Sequence, residues 1–566
     1  MFAEVYLRKR LPRRFTFFDY EIPDNLEVEV GDLVLVPFKH WPTQAVVKAV
    51  KKKTEVKTLP LEKIIIKKLL DAADIQRFEC LAKSVAQSVS SIIYTALPEI
   101  KNRGTQPTSH SNSGSFSISK EIASFLQTSL QKNDDSAFFQ LSAEGEFALA
   151  ALLRKKNKGQ MLIILPRERD AEYFADNVPL GENVAVLHGK TKDIERESIT
   201  LLWRTGKIET LIGTKQAALL AANNLKLVHV IDCSCEDYRQ QNRNPRIDYR
   251  NAAELLARQH EAKIIYSGVT PRLSLINKIP LYWQEGFFGK FISLKAEEEK
   301  TNTSFLSTSL LKAIEKALQS QKSVLLSFNR KGVAKRLQCR ACGYTPVCAQ
   351  CRNVPDVREN DLICHVCGAE MWLPEKCPSC NKAKLSKRGV GNKELKKSLQ
   401  LAFPLFKVGL IDKETQDRQA DIQIVTEYFF KNIWHPFFKH QYGLVAELAL
   451  DLSLGGNDFR SSEVTAYKLQ RLEKIALQQK AELIVQTWLP DLTEPMRDLP
   501  KFLQHELELR RSYNLPPIAK IFKLHLPDSD ETQIKMTAEN QEIVYQDLQN
   551  KPDKCIIEPD LDSYDC

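Results

Sequence analysis

The chain has 566 residues, of which 43% are hydrophobic and 27% charged, with a formal net charge of +10. This composition is ordinary for a soluble globular protein, and the length predicts three to five domains rather than one core. No apolar run approaches the roughly twenty residues of a membrane span, and the start MFAEVYLRKRLPRRF is too charged for a signal peptide, so a cytoplasmic, reducing home with no membrane partner is expected.

Residues 1 to about 100 open with apolar and polar positions in alternation, broken by turn signals: FTFFDYEIP, NLEVEVGDLVLVPF and TQAVVKAV. That pattern predicts a small β-rich domain over 1–103, closing with helical periodicity from Ala72 to Leu97. Residues 104–118, GTQPTSHSNSGSFSI, read as a linker. From 119 to 300 the strand-like runs MLIILP, NVAVLHG, IETLIGT, LVHVID and AKIIYSG alternate with helical stretches, which predicts a parallel sheet covered by helices. A second lobe of this α/β kind starts at 301–338 with SVLLSF and resumes over 386–492 with FKVGLID, ADIQIVT, HQYGLVAELAL and AELIVQTW. Residues 493–566 form a short carboxyl-terminal domain.

Between the two parts of the second lobe, in 339–385, lie eight of the thirteen cysteines as four C-x-x-C pairs. Two residues between cysteines let a tight turn aim both sulfurs at one ion, and Zn²⁺ takes four such ligands at about 2.3 Å. The set therefore suits two structural zinc ions. The five-residue gap between the first two pairs is short for a ribbon, and the twelve-residue gap between the second and third suits a hairpin. Nested sites follow: Cys339, Cys342, Cys377 and Cys380 on one ion, Cys348, Cys351, Cys364 and Cys367 on the other. Gly or Asn after a pair accommodates the positive φ of a turn around a metal. The remaining cysteines, Cys80, Cys233, Cys235, Cys555 and Cys566, read as free thiols, and the Cys233/Cys235 pair is too incomplete for a metal site. Basic clusters at Arg8-Lys9-Arg10, Arg13-Arg14, Lys51 to Lys53 and Lys382 to Arg388 could neutralise phosphates.

A small β domain, two α/β lobes and a paired-zinc insertion in the second resemble the PriA replication-restart helicase family. FDY at Phe18 to Tyr20, GDLVLVPF at Gly31 to Phe38 and YTALP at Tyr94 to Pro98 are similar to its 3′-end-binding domain. FNRKG at Phe328, RGVGNKEL at Arg388, NDFRSSEVT at Asn457, QTWLPD at Gln486 and ELELRRSYNLPPIAK at Glu506 follow in the family's order. The resemblance implies two RecA-like lobes, a pocket for a DNA 3′ end formed with Phe18, Asp19 and Tyr20, and a zinc module that engages partner primosome proteins and single-stranded DNA. The family's glycine after VPF is Lys39 here.

The resemblance also implies an ATP- and Mg²⁺-dependent motor, and here the chain departs from it. A phosphate loop needs glycines and a terminal Lys-Ser/Thr, whereas QLSAEGEFALAALLRK has one glycine, Gly145, and no Gly-Lys-Thr. The acidic motif DEEH is Asp232-Cys233-Ser234-Cys235, with a thiol where a carboxylate should activate water. Lys155 and Lys156 read as solvated. The arginine motif has become RLEKIALQQK, with Arg471 its one arginine. No catalytic or nucleotide-binding residue is assigned. The expected protein is a monomer that recognises forked DNA and helps reload the replication machinery without unwinding. The alternatives are a helicase working with displaced residues such as Lys155 and Glu236, and a zinc-dependent protein adaptor.

Overall fold

A computed structural model describes residues 1–101, 120–240, 242–283, 288–294, 306–328, 336–339, 344, 346–349, 355–357, 361–363, 369–382, 385–388, 391–431, 441–454, 459–525, 532–552 and 554–560. They form two compact units, 1–285 with 500–566, and 286–499.

The first unit opens with an antiparallel sheet of β1 (Phe2–Leu7), β2 (Phe18–Glu21), β3 (Leu33–Phe38), β4 (Trp41–Lys51) and β5 (Lys63–Ile66), in the order β2-β1-β4-β3-β5. Alternation places Val5, Val34, Val36 and Val47 on one buried face and Tyr6, Leu33 and Val46 on the other. The second face is covered by α1 (Ala72–Ser84) and α2 (Val89–Ala96), through Ile75, Phe78, Leu81 and Ile93. Gly31, before β3, has φ +88, and a Cβ there would lie 1.9 Å from the Leu70 carbonyl oxygen, so the turn requires glycine. A capping box starts α1, with Asp74 N–H donating to Asp71 and Asp71 N–H donating to Asp74.

Next come β6 (Ser136–Gln140), β7 (Gln160–Ile164), β8 (Val184–Leu187), β9 (Thr210–Gly213), β10 (Leu225–Val230), β11 (Lys263–Gly268) and β12 (Leu281–Tyr282), in the order β12-β6-β11-β10-β7-β9-β8. Every pairing in this sheet is parallel. Helix α3 (Lys120–Ser129) precedes the sheet, and α4 (Ala143–Lys156), α5 (Glu168–Asn177), α6 (Asp193–Arg204) and α7 (Tyr249–Gln259) lie in crossovers of the kind that such a sheet needs. All five residues of β7 are buried, which is why it reads as a continuous apolar run. The buried guanidinium of Arg77 on α1 donates to Gln259 at 2.7 Å and to the Leu219 carbonyl at 3.3 Å, tying the amino-terminal domain to this lobe. A carboxyl-terminal sheet of Lys520–His525, Thr532–Met536 and Ile556–Asp560 packs Phe522 into the same core, and the helix Gln541–Asn550 adds Tyr545 and Leu548. Asp560 reaches Arg239 at 2.6 Å.

The second unit is a six-stranded parallel sheet. Its strands, in spatial order, are Lys290–Ser293, Glu482–Thr487, Tyr442–Glu447, Ser323–Ser327, Ile422–Val425 and Val408–Ile411. The cysteine-rich segment lies between the strand Ser323–Ser327 and the helix Asn392–Ala402. Its stem pairs Arg336–Cys339 antiparallel with Leu385–Arg388, and a three-stranded meander of Asp356–Val357, Asp361–Ile363 and Glu370–Trp372 stands within it.

Candidate nucleic-acid interface and thiol cluster

β2 is the edge strand of the amino-terminal sheet, bridged on its outer side at Glu21 to Pro60. Phe18 is half-buried there, stacked on Phe15 with centroids 6.0 Å apart and edge-on to Phe38 at 5.6 Å. Cations flank this tier: Arg14 lies 5.3 Å from the Phe15 ring and Lys9 5.1 Å from the Phe38 ring, while Lys48 lies 4.6 Å from the neighbouring Phe17. Tyr20 alternates to the other side. It is buried, its hydroxyl donates to the Pro37 carbonyl at 2.9 Å, and burial pushes its pKa up to about 12. Of Phe18, Asp19 and Tyr20, the first two are only partly buried and Tyr20 braces the strand from the core.

Asp19 is held by Lys51, whose Nζ is 2.8 Å from Oδ2, and by the Thr54 hydroxyl on the same oxygen. Its other oxygen, Oδ1, is buried with no hydrogen-bond partner among the described residues. Hydrogen bonds to Asp19 and then Glu4 raise the Lys51 pKa, so that ammonium stays charged. Lys39 opens the two-residue turn between β3 and β4 with φ +56, the left-handed conformation that glycine adopts without strain. Trp41 beside it is 76% exposed.

Where this domain meets the first lobe, a cleft of about 1060 Å³ is lined by Arg8, Arg10, Tyr94 and Lys101 from one side and Arg167, Arg196, Lys215, Arg239 and Arg243 from the other. The acidic lining is Glu99, Glu168, Asp193, Glu236 and Asp237. Arg8 and Arg10 sit 5.3 and 5.2 Å from the Tyr94 ring centroid. Burial lowers the Lys215 pKa. Sequence reasoning named Arg8 and Arg10 as a basic cluster but missed Arg196, Lys215 and Arg243, because nothing in their local sequence announces a shared cleft.

In the cysteine segment the sulfurs of Cys339, Cys377 and Cys380 lie within 4.8 Å of one another, with Cys339 and Cys380 3.6 Å apart. Four thiolates about 2.3 Å from a tetrahedral ion are about 3.8 Å apart, so these three residues can hold a metal. The Cys339 N–H donates to the Tyr344 carbonyl and the Asn381 N–H to the Cys377 carbonyl, the closed turns expected of C-x-x-C knuckles. Asn381 has φ +53, as anticipated for the residue after a pair. Cys348 is buried apart from this triad, while Cys342, Cys351, Cys364 and Cys367 lie outside the described residues. Elsewhere, Cys233, Cys235 and Cys555 are reduced thiols. Cys80 is disulfide-bonded, which corrects its reading as a free thiol.

At the end of β10, Asp232 adopts φ +49 and is 7% exposed. Cys233 is fully buried, and burial pushes its thiol up to about 12 against the opposing pull of Arg250 and Arg272. A thiol that keeps its proton cannot serve as a base. The Cys235 sulfur accepts from Arg167 Nη2 at 3.0 Å, and neither cysteine belongs to a metal-ligand group among the described residues. Arg471 is buried, donates to the Phe430 carbonyl and lies against the Phe430 and Tyr467 rings, a core anchor. Lys155 and Lys156 are exposed at the end of α4. No helix among the described residues is long and apolar enough to cross a membrane.

Residues 5–98 match the family described as "3'DNA-binding domain (3'BD)", and residues 146–248, within the first parallel lobe, match "Helicase conserved C-terminal domain". The chain is 25% identical over 568 residues to the replication restart protein PriA of Rickettsia conorii, covering 91% of this chain and 86% of that one. Similarity to proteins of the same description is 27% in Haemophilus influenzae, over 64% of this chain and 53% of the relative, and 29% in Thermotoga maritima, over 56% and 46%. Among solved structures, RecG bound to a three-way DNA junction aligns with a TM-score of 0.35 and 11% identity, over 69% of this chain and 47% of that one.

Proposed function

We propose that this chain is a replication restart protein of the PriA kind, which recognises forked DNA and helps reload the replication machinery without unwinding the duplex. The observation that carries this reading is the unpartnered, buried Asp19 Oδ1 beside the Phe18 tier. A terminal nucleotide offers both complements at once, a base face to stack on Phe18 and a 3′ hydroxyl to donate to Asp19. Lys51 holds Asp19 through Oδ2, which leaves Oδ1 to accept, and Lys9, Arg14 and Lys39 supply positive charge near the preceding phosphates. The cleft between the amino-terminal domain and the first lobe offers a basic path for single-stranded DNA.

Two zinc ions complete the proposal, the outer on Cys339, Cys342, Cys377 and Cys380 and the inner on Cys348, Cys351, Cys364 and Cys367. Both are structural, since a closed four-thiolate shell leaves no position for water. The module they fold presents Trp372, 89% exposed, as one contact for a primosome partner. The protein acts in the cytoplasm as a monomer. Cys233, a buried protonated thiol in place of a carboxylate, is the reason hydrolysis is left out of the proposed activity.

The test is a fork with a 3′-hydroxyl end set against the same fork ending in a 3′-phosphate, with ATP hydrolysis followed in parallel. Tight binding of the first, weaker binding of the second and no DNA-stimulated turnover are expected. Equal affinity for both ends would sink the pocket, and clear turnover abolished by Asp232→Asn would restore the motor.

A further inference from the structure

In open parallel α/β sheets ligands enter the crevice beyond the carboxyl ends of the strands. A triphosphate there needs a loop between strand and helix whose amides face it, and a cation beside it. In this lobe only Leu141 and Ser142 separate β6 from α4, which leaves no room for such a loop. Gly145 lies within the first turn of the helix, where an added Cβ would meet the Leu141 side chain at 2.9 Å.

At the ends of β10 and β11 a side chain of the lobe itself reaches across. Glu146, 3% exposed, projects from α4 so that its Oε1 accepts from the Asp232 N–H at 2.9 Å and from the Ser267 hydroxyl at 2.8 Å. The Ser267 oxygen lies 2.9 Å from His229 Nε2. Since the serine hydrogen is directed to Glu146, the ring donates to the serine, which fixes the proton on Nε2. His229 and Ser267 are both fully buried. One carboxylate thus joins the start of α4 to the ends of β10 and β11. Phe147, next along, packs edge-on to Phe174 at 5.0 Å and holds α4 against α5.

We propose that Glu146 is a carboxylate latch that closes this crevice from within, so that the first lobe takes no nucleoside triphosphate and serves as a nucleotide-independent scaffold. A triphosphate would have to displace a buried carboxylate from two donors and set its own negative charge beside Asp232. This goes beyond the absence of hydrolysis, which by itself would permit bound ATP.

The test titrates the full chain with Mg²⁺ and mant-ATP across the range of about 1 μM to 1 mM in which enzymes usually hold their substrates. No saturable binding and no rise in melting temperature are expected. Glu146→Gln, which keeps an acceptor oxygen, should melt near the parent, whereas Glu146→Ala should fall by about 3–6 °C. Ser267→Ala should add little on top of Glu146→Ala, because both remove the same linkage. Saturable mant-ATP binding by the unmodified chain overturns the proposal, as does Glu146→Ala melting with the parent. If that variant fails to fold, the titration of the parent still decides. Fork binding measured on the same preparation separates the two ideas. A chain that binds forks and ATP refutes the latch alone, and one that binds neither refutes the fork-binding proposal alone.

Discussion

Asp19 and Lys39 carry the most testable chemistry at the scale of single residues. Removing the Phe18 ring should weaken binding of a 3′-hydroxyl fork by about 10-fold or more, in line with about 1–3 kcal/mol for a stacked base. Asp19→Asn should erase the preference for a 3′ hydroxyl over a 3′ phosphate, since the repulsion of a phosphate goes with the carboxylate's charge. Fluorescence anisotropy on both forks reads each effect, and unchanged affinities would place DNA elsewhere. Lys39 makes the opposite kind of prediction. Its φ of +56 costs a non-glycine residue about 1 kcal/mol, so Lys39→Gly should stabilise the chain by that amount in a urea titration while lowering fork affinity through the lost charge. A variant less stable than the parent would contradict the turn assignment. At Lys39 the backbone keeps the left-handed geometry that suits glycine, and the side chain changes the charge.

At the scale of elements, the helix Ser461–Gln479 turns charged side chains inward. It buries Lys468, Arg471, Glu473 and Lys474 along with its apolar face. Lys468 finds Glu447 at 2.8 Å, but Glu473 Oε1 has no hydrogen-bond partner among the described residues, and burial, partly offset by Lys474, lifts the Glu473 carboxyl to about 7. An unfolded glutamate titrates near 4.3, so between about pH 4.3 and 7 the folded chain keeps a proton that the unfolded chain releases, and stability falls as pH rises. The effect is on the order of 3 kcal/mol and is complete above the folded value. Glu473→Gln should therefore raise the melting temperature at pH 8 and leave it nearly unchanged at pH 4; equal gains at both would refute the shift. The periodic pattern of RLEKIALQQK was enough to read a helix, because periodicity survives divergence. It could not reveal that charged residues turn inward, since that depends on what packs over them. The cysteine pairs divide the same way: spacing favoured the outer pairs sharing one ion, and three of those four sulfurs converge, while Cys342 lies outside the described residues. Cys377→Ser should remove one zinc from two by native mass spectrometry, and loss of both at once would argue against independent nested sites.

Across the whole molecule, the net charge of +10 said nothing about where DNA would lie, because a lysine-rich surface gives the same sum. Folding makes it local. Arg8, Arg10 and Lys101 come from one domain and Arg196, Lys215 and Arg243 from another, so their convergence is a property of how α1 and α2 seat on the first lobe, through Arg77 among others. The parallel sheet of that lobe was open to reading from the alternation of strands and helices, but its strand order and the cleft were not, since no window of sequence contains them. The cleft also holds Glu168, Glu236 and Asp237, and Arg167 and Arg239 are engaged by carboxylates, Arg239 with Asp560 from the carboxyl-terminal sheet included. The cations best placed to meet phosphates are then exposed ones, Arg10 and Arg243. Counterion release makes this measurable: each single-strand phosphate neutralised contributes about −0.7 to the slope of log K against log salt. Neutralising both with Arg10→Gln and Arg243→Gln should flatten that slope by about 1.4 for a single-stranded tail. The melting temperature should hold, because both side chains are exposed, and so should the preference for a 3′-hydroxyl end, because Asp19 is untouched. A flattened slope with the end preference intact would separate a nonspecific track in the cleft from a specific pocket on β2, whereas an unchanged slope would take DNA out of the cleft altogether.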